Sequence, residues 1–244
     1  MAKASHPGRT KTRLSPPLTP EEAASFNTAF LQDIAQNLAV AAEIESIRGY
    51  MAFGPPGSET FFHNIIPADI GLIETWLPNF GDCLQHALAQ QFHLGHQSAC
   101  VLNSDSPTLP VSILTDAARI LAAPGDRAVL GPSTDGGYYL LGVKKVHPRL
   151  FEDIAWSTEH AASQTLQRAN DIGLEVVLLP EWYDVDDKSA LQVLASEVLD
   201  GAHFSPRLKS SRAPYSVALM RRLMSGDDFL KRVGFVETLA KAAS

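Results

Sequence analysis

Apolar residues at Ala23, Phe26, Phe30, Ile34, Leu38 and Ala41 recur at three- and four-residue spacing, which places them on one face of a long helix lying on a sheet. Thr19, Pro20 and Glu22 mark its start, a capping-box pattern with proline at the first helical position. Ser46 to Phe53 is β-compatible, and Gly54 to Ser58 breaks it as a turn. A short helix is predicted over Glu59–Ile66, a strand over Ile70–Leu77 and a helix over Asp82–His93, with Leu84, Leu88 and Phe92 on one face and Gly95 as its stop. The short apolar run Ala99–Leu102, between polar flanks, reads as a strand buried on both faces, as a parallel sheet requires. Pro110 then opens a helix through Ile113, Leu114, Ala117, Ile120 and Leu121.

Arg127–Leu130 and Tyr138–Val143 are β-rich runs on either side of GPSTDGG, so a strand, loop, strand unit is predicted. A helix over Ser157–Ile172 turns Ala161, Ala162, Leu166 and Ala169 inward, and Leu174–Leu179 reads as another buried strand. Asp187 is the expected N-cap of a helix carrying Leu191, Leu194, Val198 and Leu199. Strands alternating with helices over residues 1–200 predict one α/β domain. Beyond it, Ser205–Pro214 is linker-like and Tyr215–Ala242 helical in character, so 201–244 is expected to be a linker and a helical appendage.

Composition narrows the function. The 244 residues can bury one sizeable core, the net charge is −7, and the basic residues are scattered except near the ends, which argues against a nucleic-acid partner. Cys83 and Cys100 are the two cysteines and form neither a disulfide framework nor a zinc pattern. No apolar run is long enough to span a bilayer and the amino terminus has no signal-peptide core. A cytoplasmic location is therefore the expectation, and the oligomeric state is open. The eight histidines share no spacing and are read as surface or ordinary core residues.

Four polar stretches carry candidate chemistry. The loop just past a buried α/β strand is where ligands bind, and there Asp105, flanked by the hydroxyls of Ser104 and Ser106, is a candidate ligand for Mg²⁺ or Mn²⁺. By themselves Asp105 and Ser106 are read more simply as a turn or a helix cap. In the first loop Gly8 lets the backbone come close to a ligand, and Lys11 and Arg13 suit a diphosphate, one as a point charge and the other as a fork. A solvated basic terminus is the plainer alternative. Asp135 stands at a loop tip beside Gly136 and Gly137, which allow positive φ and close approach. Asp-Gly is equally a hairpin turn. In YDVDD, Asp184 and Asp186 alternate with Val185, so an extended backbone turns both carboxylates to one side.

Taken in order, PGRTKTRL, LNSDSPTLP, GPSTDGGYYLLGV and YDVDD resemble the family of bacterial nucleotide-diphospho-sugar transferases that includes the arsenosugar-biosynthesis-type glycosyltransferases, over about Ala2 to Leu199. The resemblance implies a GT-A-like, Rossmann-related three-layer α/β/α sandwich with a mostly parallel sheet, related to molybdopterin and phospholactate nucleotidyltransferases. It implies Gly8, Lys11 and Arg13 in the nucleotide-phosphate loop and Asp105 as the metal-binding carboxylate. Asp135, Gly136 and Gly137 fall in the loop near the sugar or acceptor, with Asp135 either the base for the acceptor hydroxyl or a group that orients a sugar, and Asp186, alone or with Asp184, is the late carboxylate that completes the metal site. Two departures stand out. The family's first strand precedes the phosphate loop, and here Met1 stands in its place: either the chain starts further upstream or another segment, such as Tyr215–Met220, fills the slot. Asn79 and Cys83 replace an Asp and an Arg of the family's pattern. The expected activity is divalent-cation-dependent transfer of a sugar from a nucleotide-diphosphate donor to a small acceptor. Nucleotidyl transfer to a small phosphorylated acceptor, and a nucleotide-binding or scaffolding protein without activity, are the alternatives.

Overall fold

The computed structural model describes residues 1–226 and 228–234. Helix α1 (Pro20–Ile44) forms as its start signal predicts. The Glu22 amide donates to the Thr19 hydroxyl (3.2 Å) and the Thr19 amide to the Glu22 carboxylate (2.8 Å), satisfying two of the free amides of the first turn. Its inner face buries Phe26, Phe30, Leu31 and Ile34.

The strands fall into two sheets that lie edge to edge. In the first, β1 (Ala2–Lys3), β2 (Tyr50–Gly54) and β3 (Gly71–Glu74) are parallel and lie in that order. In the second, the order is β4 (Ala99–Leu102), β6 (Tyr138–Val143), β5 (Arg127–Pro132) and β7 (Glu175–Leu178). Strand β6 is antiparallel to both its neighbours and β7 is parallel to β5. Side chains alternate through the two inner strands: Val129 and Leu140 point into one helical layer, Ala128, Leu130, Leu141 and Val143 into the other. The first layer holds α1, α4 (Val111–Ala122) and α6 (Lys188–Asp200), and the second α3 (Phe80–His93) and α5 (Ala161–Asp171). A short helix α2 (Glu59–Ile65) packs beside β2 through Phe62 on Phe53. The result is the α/β/α sandwich expected from the alternation of elements.

Three expectations need correction. The sequence places β4 inside a parallel sheet, yet among the described residues its one strand partner is the antiparallel β6 and no strand pairs with its other edge. The sequence predicts a buried strand at Leu174–Leu179, whereas among the described residues β7 pairs on one side only and Leu178 is 57% exposed. An apolar run records β preference and not how many neighbours the strand will have. Tyr215–Met220 is not a strand but part of helix α7 (Pro214–Met224), packed against α1.

Between α6 and α7 the chain is tied to the sandwich. The Phe204 amide (3.1 Å) and Ser210 hydroxyl (2.5 Å) donate to the buried Glu197, which also accepts from the Tyr183 hydroxyl (2.6 Å). The Ser211 amide reaches the Thr108 carbonyl at 2.9 Å. Buried Asp33 of α1 caps α7, accepting from the amides of Tyr215 and Ser216 (2.9 Å each) and the Ser216 hydroxyl (2.6 Å). A last helix, α8 (Phe229–Val233), is clamped by Arg232 on the two carboxylate oxygens of Glu22, at 2.7 and 2.8 Å. The helical character read for 227 and 235–242 lies outside the described residues.

Candidate active site

Four segments far apart in the chain meet at one rim. The first is the loop between β1 and α1, where the amides of Arg9 and Thr10 fold back on the His6 carbonyl and Gly8 takes φ +70°, a left-handed conformation that glycine adopts without penalty. A single 3₁₀ turn over Thr12–Leu14 then buries Leu14. Lys11, just before it, is itself left-handed at φ 50°. That is uncommon for a residue with a side chain, and it coincides with a lysine whose side chain is only 8% exposed.

The Lys11 ammonium lies among carboxylates. It donates to Asp105 Oδ2 (2.6 Å), Asp186 Oδ1 (2.5 Å) and the Val185 carbonyl (3.0 Å). Arg13, mostly exposed, pairs with the other oxygen of Asp186. Asp105 follows β4, and its carbonyl accepts the Val185 amide at 2.8 Å, which stitches the 184–186 segment to the loop after β4. Val185 is fully buried, so the residues on either side of it turn outward together. Oxygens of Asp105, Asp184 and Asp186 all lie within 4.8 Å of one another.

The electrostatics follow from this crowding. Burial and the neighbouring Asp105 push the Asp184 carboxyl up to about 6, opposed by the Ser133 hydroxyl that donates to it at 2.5 Å. Burial disfavours charge on Asp186 too, but Lys11 and Arg13 outweigh it and hold that carboxyl below its ordinary range. Burial likewise works against the Lys11 ammonium, and Asp105 and Asp186 more than offset it, so its pKa is raised. Opposite charge close by favours the ionised form, and desolvation or like charge opposes it.

Asp135 is exposed in the loop joining β5 and β6, close enough to add to the negative potential at Asp184. Its Oδ1 accepts the Gly137 amide at 2.9 Å, leaving the other oxygen free. Gly136 is required for packing: it sits at φ +85°, and a Cβ there would come within 2.2 Å of the Glu159 carbonyl. Gly8 is exposed, with nothing within 4 Å of where its Cβ would be. Ser104, next to Asp105 in the chain, lines the slot between β2 and β4. Asn79 begins α3 and donates to Asp82 at 3.0 Å, and Cys83 is buried with its sulfur against the Leu77 backbone. Two participants escaped the sequence reading. Ser133 lies in the GPSTDGG loop among other polar residues that the sequence does not rank, and the Val185 carbonyl leaves no mark in a sequence.

A parallel-rimmed α/β/α sandwich that gathers acidic residues and a basic loop at one edge has the fold of nucleotide-sugar transferases. Its architecture is similar to the crystal structure of a protein from Desulfovibrio desulfuricans G20 described as a "putative nucleotide-diphospho-sugar transferase", with a TM-score of 0.77 and 27% identity over 92% of this chain and 93% of that one. Residues 37–158, half the chain, match a family described as uncharacterized proteins conserved in bacteria, DUF2064, and the chain belongs to that family. No curated protein matches it. Among the described residues no helix is long and apolar enough to cross a membrane.

Proposed function

We propose that this protein is a divalent-cation-dependent transferase that moves a sugar from a nucleoside-diphosphate donor to a small acceptor. The observation that carries the reading is the convergence of Asp105, Asp184 and Asp186 around the Lys11 ammonium, beside Arg13. The described similarity of the Desulfovibrio protein supports it. Three carboxylates offer hard oxygen ligands of the kind Mg²⁺ and Mn²⁺ take. The Asp184 carboxyl is raised first by burial and then by the charge of neighbouring Asp105, and the three clustered carboxylates make a donor set that fits such an ion, held by Asp105, Asp184 and Asp186. When bound, the cation would neutralise charge building on the departing diphosphate.

The chain's own residues supply the rest. Arg13, a planar fork, holds the diphosphate oxygens, and Lys11, whose three N–H bonds go to Asp105, Asp186 and the Val185 carbonyl, sets a point charge beside them. Both act on the charge that grows as the glycosyl bond breaks. The free carboxylate oxygen of Asp135 takes the proton from the acceptor hydroxyl as that oxygen attacks. Ser133 keeps Asp184 oriented, and the buried Val185 fixes the spacing of Asp184 and Asp186.

Thermal-shift titration of nucleoside diphosphates and their sugars, with and without Mn²⁺, tests this directly, because a ligand that binds the native state raises Tm by mass action. Stabilisation by a nucleoside-diphosphate sugar that needs Mn²⁺ is expected, and the absence of any Mn²⁺-dependent stabilisation refutes the reading. Release of nucleoside diphosphate marks glycosyl transfer, and release of pyrophosphate from a nucleoside triphosphate would instead mark nucleotidyl transfer.

A further inference from the structure

The two sheets are separated by a slot one strand wide. Strand β2 pairs with β3 along its whole length on one edge, but on the other it meets β1 only at Phe53 and Gly54, leaving Tyr50, Met51 and Ala52 without a strand partner there. Across the slot, β4 pairs with β6 on one edge, and on the other the Cys100 carbonyl is met only by the Gln91 side chain (3.2 Å). About 1100 Å³ between these edges is unfilled by protein, part of it open to solvent. Leu38 of α1 and Leu114 and Ala117 of α4 line the slot from one helical layer, and Ala87 of α3 from the other. Both layers of the sandwich thus continue across a gap in the middle layer.

The stub β1 shows what the gap is shaped for. Ala2 and Lys3 are in parallel register with Phe53 and Gly54, while the Met1 amine donates to the Leu102 carbonyl at 2.6 Å. Met1 therefore bridges the carboxyl ends of β2 and β4, and the line of β1, followed backwards, runs into the slot. Burial there pushes the Met1 amine down to about 6, as expected of a charge placed where a neutral amide would be at home. Among the described residues no other strand pairs with Tyr50–Ala52 and Ala99–Val101 from this side.

From this geometry we infer that the slot is a receptor for one β-strand, and that its occupant is an extended apolar segment of about four residues joined directly to the Met1 nitrogen, running parallel to β2. At roughly 3.3 Å per residue, four residues span the unpaired stretch from Tyr50 to Ala52 and reach Ala99 on the other side. The segment is apolar on both faces, because it meets helices above and below. Its backbone pairs with β2 and β4 at once and turns two sheets into one seven-stranded sheet. It also lengthens the strand from which the Lys11 loop hangs, steadying that loop without depending on what the loop binds.

The test compares the 244-residue chain with chains extended ahead of Met1 by four Val/Ile residues or by four Gly/Ser residues, using amide hydrogen exchange and thermal melts. With the apolar extension, exchange at Tyr50, Ala52, Cys100 and Leu102, whose backbone groups face the slot, is expected to slow by about tenfold or more and Tm to rise by about 4 °C or more. With the Gly/Ser extension neither is expected to change. Unchanged exchange and Tm with the apolar extension overturn the inference. So does full protection of these amides in the unextended chain, and so does protection that appears only as the chain dimerises, which would make a second copy the occupant.

Discussion

Replacing Lys11 by methionine removes the positive charge and keeps most of the packing volume. In the native protein the ammonium bridges Asp105 and Asp186 at 2.6 and 2.5 Å, and the lysine side chain is 8% exposed against 22% and 25% for its two partners. Breaking a buried ion pair by deleting one member costs about 3 to 5 kcal/mol, because the remaining charge is left without compensation. The two carboxylates keep some contact with water, so the lower end applies, about 3 kcal/mol. For a chain of this size that corresponds to a fall in Tm of roughly 6 to 12 °C. Three carboxylates would remain within 4.8 Å of one another with only Arg13 beside them. Lys11→Met should therefore gain more stability from Mn²⁺ than the native protein does, since the ion replaces the lost neutralising charge. The deficit should also shrink as pH falls. Asp186 is held below its ordinary range in the native protein, which stabilises the fold above pH 4 and ceases to do so as pH drops through the lowered value. Melting curves at pH 7 and pH 3, with and without Mn²⁺, measure both effects. An unchanged Tm at pH 7, or an equal Mn²⁺ shift in the two proteins, would refute the view that Lys11 is the charge holding these carboxylates together.

Asp105→Ala should abolish Mn²⁺-dependent nucleotide binding while costing less stability than Lys11→Met, because Lys11 keeps Asp186; calorimetric titration beside a melting curve checks both, and retained Mn²⁺-dependent affinity contradicts the site. Gly136→Ala meets the Glu159 carbonyl at 2.2 Å from a backbone at φ +85°, so a loss of at least about 2 kcal/mol is expected in denaturant unfolding, against near-neutrality at exposed Gly8 if only its positive φ is strained. Burial raises Asp33 from 3.8 to about 6 despite its three donors, so between those values the folded state binds the proton more tightly and stability from this group falls as pH rises. The Tm of the native protein minus that of Asp33→Asn should therefore grow between pH 7 and pH 5, and a constant or shrinking difference would show that the helix α7 cap does not titrate in this way.

Local chemistry made much of this protein legible from its residues in order. The capping box of Thr19 and Glu22, the three-to-four spacing from Ala23 to Ala41, the strand, loop, strand unit around Asp135 and the Asp187 cap were all readable, because each depends on neighbours within a turn or two. The alternation of Asp184 and Asp186 around Val185 was readable for the same reason, as was the candidacy of Lys11, Arg13 and Asp105. Sheet order is another matter. Whether β4 and β7 stand inside a sheet or at an edge, and that β6 runs against both its partners, depends on contacts between segments tens of residues apart, about which an apolar run is silent. Only the tertiary structure could set the ammonium of Lys11 between Asp105 and Asp186, 94 and 175 residues away, or bring Ser133 to Asp184. The slot beside Met1 belongs to the same class: the residues that line it come from both sheets and three helices, and nothing but their packing brings them to face one another.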